Sequence, residues 1–129
     1  MAKLLKRILV AEDEPDISKI ADLSLTHLGG YSTHVCEDGE QAIAAAAHFK
    51  PDLIILDVMM PNLDGPETLK ALRKIPETAD VPVVFLTARI QPDEIDMYRE
   101  LGVLNVIGKP FDAVELPKMI DEIWENHAA

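Results

Sequence analysis

With a single cysteine, Cys36, in 129 residues, the chain cannot close an internal disulfide, and nothing in it points to an oxidising compartment. No apolar run approaches the length that spans a bilayer. The nearest thing to a targeting signal is the amino-terminal MAKLLKRILVAED, basic and then apolar. Its apolar part is short, lacks a small-residue cleavage site and runs into acids, so a first strand is the better reading. A cytoplasmic protein without membrane insertion is expected. Basic residues are scarce: Lys and Arg number 12 against 23 acids, for a formal net charge of −11. Phosphate backbones are bound through Lys and Arg, so no nucleic-acid partner is expected for the domain by itself. The charge favours basic partner surfaces and divalent cations, although most of the acids serve only to keep the surface solvated. Soft metals lack their ligands, because no His/Cys spacing forms a zinc site. Linkers, repeats and low-complexity segments are also missing.

What is present is core. Hydrophobic residues make up 48% of the chain, which argues against disorder, and the length suits one domain, residues 1–129, with its core at about 7–125. The stretch around which the rest is organised is PDLIILDVMMPNLDG, from Pro51 to Gly65. Leu53 to Leu56 carries no charge and reads as a short strand buried on both faces. It ends abruptly on Asp57, and open α/β sheets place their ligand sites at such carboxyl ends. Pro61, Asn62, Asp64 and Gly65 then predict a loop.

Taken in order, Arg7 to Ala11 is a second such run, charge-free after Arg7, ending on Glu12, Asp13 and Glu14. Pro15 and Asp16 open a helix with Ile17, Ile20, Ala21, Ser24 and Leu28 at one-face spacing, and Gly29-Gly30 stops it. Tyr31 to Cys36 is a mixed strand, as expected near a sheet edge. Asp38-Gly39 turns the chain into a helix over Glu40 to Phe49. After the organising strand and its loop comes a helix over Glu67 to Lys74, with Leu69 and Leu72 inward. Val81 to Leu86 is a fourth strand ending on Thr87. Pro92 and Asp93 start a helix carrying Ile95, Tyr98 and Leu101, closed by Gly102. Val103 to Ile107 is a fifth strand ending near Lys109. The last helix turns Leu116, Ile120 and Ile123 inward. Asp112 and Glu115 have capping-box spacing, and Pro117 lies deep enough to make the start irregular. Five strands alternating with five helices predict an α/β fold: a five-stranded parallel sheet with helices on both faces.

In such a sheet the carboxyl ends share one edge. Glu12, Asp13, Asp57, Thr87 and Lys109 therefore collect in one pocket: three carboxylates, a hydroxyl and an ammonium. Like charges that close need offsetting. Lys109 offsets one, and a hard divalent cation, best Mg²⁺, suits the others. A carboxylate, Mg²⁺, a lysine and a hydroxyl suit phosphoryl transfer, where catalysis is mostly positioning and charge neutralisation. Asp57 is the nucleophile, Lys109 pairs with a phosphoryl oxygen and Thr87 could donate to another.

The pieces ILVAEDEPD, CEDGEQA, PDLIILDVMMPNLDG, VPVVFLTA and GKPF, spaced as they are, closely resemble the receiver domain of two-component response regulators, from about Arg7 to the last helix. The resemblance implies a flavodoxin-like fold with strand order 2-1-3-4-5. It implies phosphorylation of Asp57 by a sensor histidine kinase or a histidine phosphotransfer protein, and an unknown downstream protein that reads the result. It implies Mg²⁺ among Glu12, Asp13, Asp57 and the backbone carbonyl of Met59, with Thr87 and Lys109 on the phosphoryl group. It also implies a cis Lys109–Pro110 bond. Two positions depart from the family. Glu12-Asp13 stands where an aspartate pair is commonest. Val106 stands where an aromatic ring often moves with the switch residue Thr87, so output is expected to run differently, and Gly108 adds backbone freedom there. Met59 and Arg89 occupy the positions associated with dephosphorylation rate.

Other readings stand beside these. Asp38, Asp64 and Glu14 read as loop or cap acids, His27, His34, His48 and His127 as surface residues, and Cys36 as a small apolar residue. Trp124 either covers the sheet or sits exposed, and Met97 and Tyr98 belong either to the core or to a docking patch. The alternative functions are a pseudo-receiver that binds partners without phosphate, a flavodoxin-type redox protein and an acid-nucleophile phosphohydrolase. The acidic EDEPD loop opposes flavin phosphate. The phosphohydrolase would need an acid where Met59 stands. A signalling switch, not an enzyme with a separate substrate, is therefore expected.

Overall fold

The computed structural model describes residues 4–88 and 91–128. Its strands are β1 (Arg7–Ala11), β2 (Ser32–Cys36), β3 (Leu53–Asp57), β4 (Val83–Thr87) and β5 (Asn105–Gly108). They are interleaved with helices α1 (Pro15–Leu23), α2 (Gly39–Phe49), α3 (Gly65–Arg73), α4 (Pro92–Glu100) and α5 (Glu115–Ala128). The sheet has the order β2-β1-β3-β4-β5, and every neighbouring pair is parallel. This is the predicted α/β architecture with its predicted strand order.

The central strand β3 and its neighbour β4 are buried at every residue, as the charge-free apolar runs that lead up to Asp57 and Thr87 require. Side-chain alternation sorts the core into two layers. Leu9, Ile54, Leu56, Val83 and Phe85 pack under Ala42, Ala46, Leu69, Leu72 and Tyr98 of α2, α3 and α4. Ile8, Val10, Ile55, Val84, Leu86 and Ile107 pack against Ala21, Leu25, Leu116 and Ile120 on the opposite face. Trp124 is half-buried against this second layer, Cys36 is buried, and all four histidines are exposed.

Local chemistry sets the helix starts. The Asp38 carboxylate accepts from the Gln41 amide at 2.8 Å and caps α2. Asp64 and Glu67 form a reciprocal capping box, at 2.8 and 3.1 Å. It starts α3 two residues earlier than the apolar spacing suggests, with Pro66 in the first turn, where no amide is needed. Asp112 accepts from the amides of Val114 and Glu115. Helix α5 begins only at Glu115, which leaves Pro117 in its first turn.

One face was misread. Ile20 and Leu28 are exposed by 47% and 60%, whereas Leu25 is fully buried. After α1 the backbone widens into a π-helical turn, Ser24–Leu28, which turns Leu25 inward and Leu28 outward against regular 3.6-residue spacing; Ile20 lies within α1 itself, before this turn. The Ser24 hydroxyl donates to the Ala113 carbonyl and ties this turn to the segment before α5.

Candidate functional site

Four of the five strands deliver the predicted polar residues to one sheet edge. Asp57 is the last residue of β3 and is 1% exposed. Glu12, directly after β1, is equally buried, and its amide donates to the Cys36 carbonyl of β2 at 3.0 Å. Thr87 closes β4 and is buried. Its carbonyl accepts from the Lys109 amide at 2.8 Å, so β4 places the lysine backbone directly. The Lys109–Pro110 bond is cis, as the resemblance implies.

Lys109 Nζ lies 3.0 Å from Asp57 Oδ2, 3.0 Å from Glu12 Oε1 and 3.4 Å from Glu12 Oε2. Glu14 stands farther out, at 3.9 Å. The other Asp57 oxygen accepts from the Met59 amide at 3.3 Å. Glu12, Asp13 and Asp57 each turn a carboxylate oxygen to within 4.8 Å of the others. The Asp13 carboxylate also carries a buried oxygen, Oδ1, that accepts no hydrogen bond among the described residues. A buried carboxylate oxygen without a donor is costly, and a hard cation ligated by oxygens would satisfy it. The donor set therefore fits Mg²⁺.

The electrostatics follow from burial. Desolvation, together with the facing Asp57 carboxylate, pushes Glu12 up to about 8 against the opposing pull of Lys109. Burial also raises Asp13, helped by the charge of Asp57. For Lys109, burial alone would lower the ammonium, but its bonds to Asp57 and Glu12 outweigh that and raise it. The pocket is short of positive charge, and Lys109 is held in its cationic form.

The rim of the pocket is partly open. The Met59 side chain is 74% exposed at its lip. Gly65 closes the β3–α3 loop, its amide donating to the Val58 carbonyl at 2.9 Å. A Cβ there would stand 2.9 Å from both the Asp57 carbonyl oxygen and Val58 Cα. Val106 lies apart from the pocket, on β5 opposite Phe85. Arg89 lies outside the described residues. The sequence did not reveal that Tyr98 turns inward, edge-on to Phe85 with ring centroids 5.3 Å apart. Its position beside exposed Met97 left the face open, and Phe85, two residues before Thr87, was the available signal.

Comparison with known proteins agrees with this geometry. A family model described as response regulator receiver domain matches residues 8–121. The DNA-binding dual master transcriptional regulator RpaA of Synechocystis sp. is 37% identical over 110 residues, covering 85% of this chain and 45% of that protein. The alkaline phosphatase synthesis transcriptional regulatory protein PhoP of Bacillus subtilis is 37% identical over 118 residues, covering 92% and 48%. The chain thus spans about half the length of these curated relatives. Among solved structures, the chemotaxis protein CheY4 of Vibrio cholerae superposes with a TM-score of 0.85 at 28% identity, over 93% of this chain and 99% of that one.

Proposed function

The chain belongs to the response regulator receiver domain family, and from that premise we propose that Asp57 accepts a phosphoryl group from a phosphohistidine on a sensor histidine kinase or a histidine phosphotransfer protein. The observation that carries this reading is the Lys109 ammonium, 3.0 Å from both Asp57 and Glu12, beside the unpaired Asp13 oxygen. That is a nucleophile with its charge clamp at hand.

In the transfer, an Asp57 oxygen attacks phosphorus, the phosphorus–nitrogen bond breaks, and the imidazole keeps the electron pair. Lys109 pairs with the developing charge on the phosphoryl oxygens, and the Thr87 hydroxyl donates to another of them. Glu12, Asp13, Asp57 and the Met59 carbonyl are the groups that would hold Mg²⁺. When bound, it neutralises charge on the incoming phosphate. Residues 1–129 act in this reading as one receiver unit. The exposed thioether of Met59 at the lip slows water attack on the acyl phosphate.

Phosphorylation shifts a two-state equilibrium that a downstream protein reads, by binding or by onward phosphotransfer. The chain is not an enzyme in the ordinary sense. Catalysis of its own phosphorylation and slow dephosphorylation belongs to the same proposal. Among the described residues no helix is long and apolar enough to cross a membrane, and the reading takes the chain to act in the cytoplasm. The test is intact-mass measurement after incubation with acetyl phosphate and Mg²⁺. One phosphoryl group should be gained, and none in Asp57→Asn or with a chelator. If the folded, Mg²⁺-binding chain gains none from acetyl phosphate or from a phosphorylated histidine kinase, the reading fails and the pseudo-receiver takes its place.

A further inference from the structure

The segment between β5 and α5 is held at two points. At its near end the Lys109 amide donates to the Thr87 carbonyl at 2.8 Å. At its far end the Ala113 carbonyl accepts from the Ser24 hydroxyl, 89 residues away in the chain. Among the described residues this is the one hydrogen bond that ties residues 110–114 to another part of the fold than α5. The remaining bonds fold the end of the segment onto α5. The Asp112 carboxylate accepts from the Val114 and Glu115 amides, and the Asp112 carbonyl from the Leu116 amide.

Packing alone leaves this segment room to shift. Phe111 is only partly buried against the second core layer. A cavity of about 420 Å³ lies where Ser24 and Ala113 meet, walled by Ile20, Leu23 and Leu28. A smaller one of about 60 Å³ separates Pro110 and Phe111 from Ile17 and Ile20. Ser24 itself is 2% exposed. It is the first residue of the π-helical turn, and that turn brings its hydroxyl to the Ala113 carbonyl. A buried hydroxyl with a carbonyl partner is costly to separate from it.

We infer that Ser24 is a positioning residue for Lys109: by holding the Ala113 carbonyl it fixes the far end of the segment whose near end carries the lysine, and so keeps the ammonium over Asp57. The inference rests on the phosphoryl-accepting reading of this pocket, in which the lysine acts on the phosphoryl oxygens. Ser24 touches neither the lysine nor the aspartate. With the Ala113 carbonyl released, residues 110–114 move into the flanking space, and Lys109 spends less time at 3.0 Å from Asp57. A misplaced charge partner slows the chemical step more than it weakens binding of the donor.

Acetyl phosphate kinetics on the full chain, at saturating Mg²⁺, test it. Ser24→Ala should lower the maximal rate by about threefold or more and leave the acetyl phosphate half-saturation point within about twofold. On a Lys109→Met background it should change nothing further. Thr26→Ala is the control. It removes a hydroxyl from the same turn, but one that donates to the Asp22 carbonyl at 2.7 Å, and it should leave the rate unchanged. An unchanged rate in Ser24→Ala would overturn the inference. So would an equal loss in Thr26→Ala, or a loss as large with Lys109→Met as without it, since Ser24 would then only support the fold. Amide hydrogen exchange, with no phosphodonor present, judges the tether apart from the chemistry. The Lys109 amide should exchange faster in Ser24→Ala by about threefold or more, and no faster in Thr26→Ala. If the unaltered chain takes a phosphoryl group from no donor, the phosphoryl-accepting reading falls. Lys109 exchange then decides on Ser24 by itself, and an unchanged value in Ser24→Ala would overturn the inference too.

Discussion

Lys109 and Asp57, 52 residues apart in the chain, meet at 3.0 Å between Nζ and Oδ2, because β3 and β5 end on the same sheet edge on either side of β4. In the transfer proposed above, the lysine sits where charge develops as Asp57 takes a phosphoryl group. Lys109→Met should therefore lower the phosphorylation rate at saturating Mg²⁺ by roughly a hundredfold, in the range found when a preorganised donor is removed. Mass measured against time with acetyl phosphate checks this. Retention of most of the rate would show that Asp57 needs no ammonium partner.

Glu12 gives the metal-free protein a pH-dependent stability. An unfolded chain releases the Glu12 proton near 4.5, whereas the folded pocket holds it to about 8. Between those values the folded state binds more protons, so stability should fall as pH rises from about 4.5 to about 8 and then level off. The slope is at most about 1.4 kcal/mol per pH unit. The raised Asp13 acts in the same direction. Glu12→Gln should remove most of the slope. Mg²⁺ prefers the ionised acids, so its stabilisation, about 2.7 kcal/mol at a hundred times Kd, should be larger at pH 8 than at pH 6. Urea unfolding across this range, with chelator and with Mg²⁺, measures both effects. A rising slope in chelator would contradict the burial of Glu12.

The strands and their polar ends were legible because they obey local rules: charge-free β-branched runs, each stopped by Glu12, Asp57, Thr87 or Lys109. A parallel sheet then brings those ends together whatever the helices do. What was not legible depends on long-range packing. Apolar spacing put Leu28 on the buried face, but the π-helical turn at Ser24–Leu28 buries Leu25 instead. Tyr98 could not be oriented from its own helix, since Phe85 on β4 decides which way the ring turns. Gly65 read as a loop-breaker, but its role is closeness to the Asp57 backbone, which no local pattern reveals.

Gly65→Ala tests that closeness. The added Cβ would meet backbone atoms of Asp57 and Val58 at 2.9 Å, and backbone cannot give way as a flexible side chain can. A loss of about 1–3 kcal/mol is expected, together with slower phosphorylation, because the shift falls on the strand end that carries Asp57. Gly30→Ala is the comparison. Its φ of 75° is strained for alanine, yet nothing lies within 4 Å of the new Cβ. It should cost about 1–2 kcal/mol without changing the phosphorylation rate. Equal kinetic effects from the two substitutions would show that the loop accommodates the alanine at Gly65.

Tyr98 occupies aromatic space beside a strand position that is itself aliphatic. Its ring meets Phe85 edge-on, with an interplanar angle of 81°, and Phe85 is the register partner of Val106, which packs half-buried against the same cluster. Tyr98→Ala should cost about 3 kcal/mol, as for a large buried aromatic. Val106→Tyr alone should overpack the cluster and cost about 1–3 kcal/mol. If the two positions compete for one space, the double variant should be more stable than the sum of the single losses allows, with a coupling of at least about 0.5 kcal/mol. Urea unfolding of the four proteins decides this. Additive losses would mean that Val106 and Tyr98 fill separate spaces, and that Val106 is small for a reason other than the ring on α4.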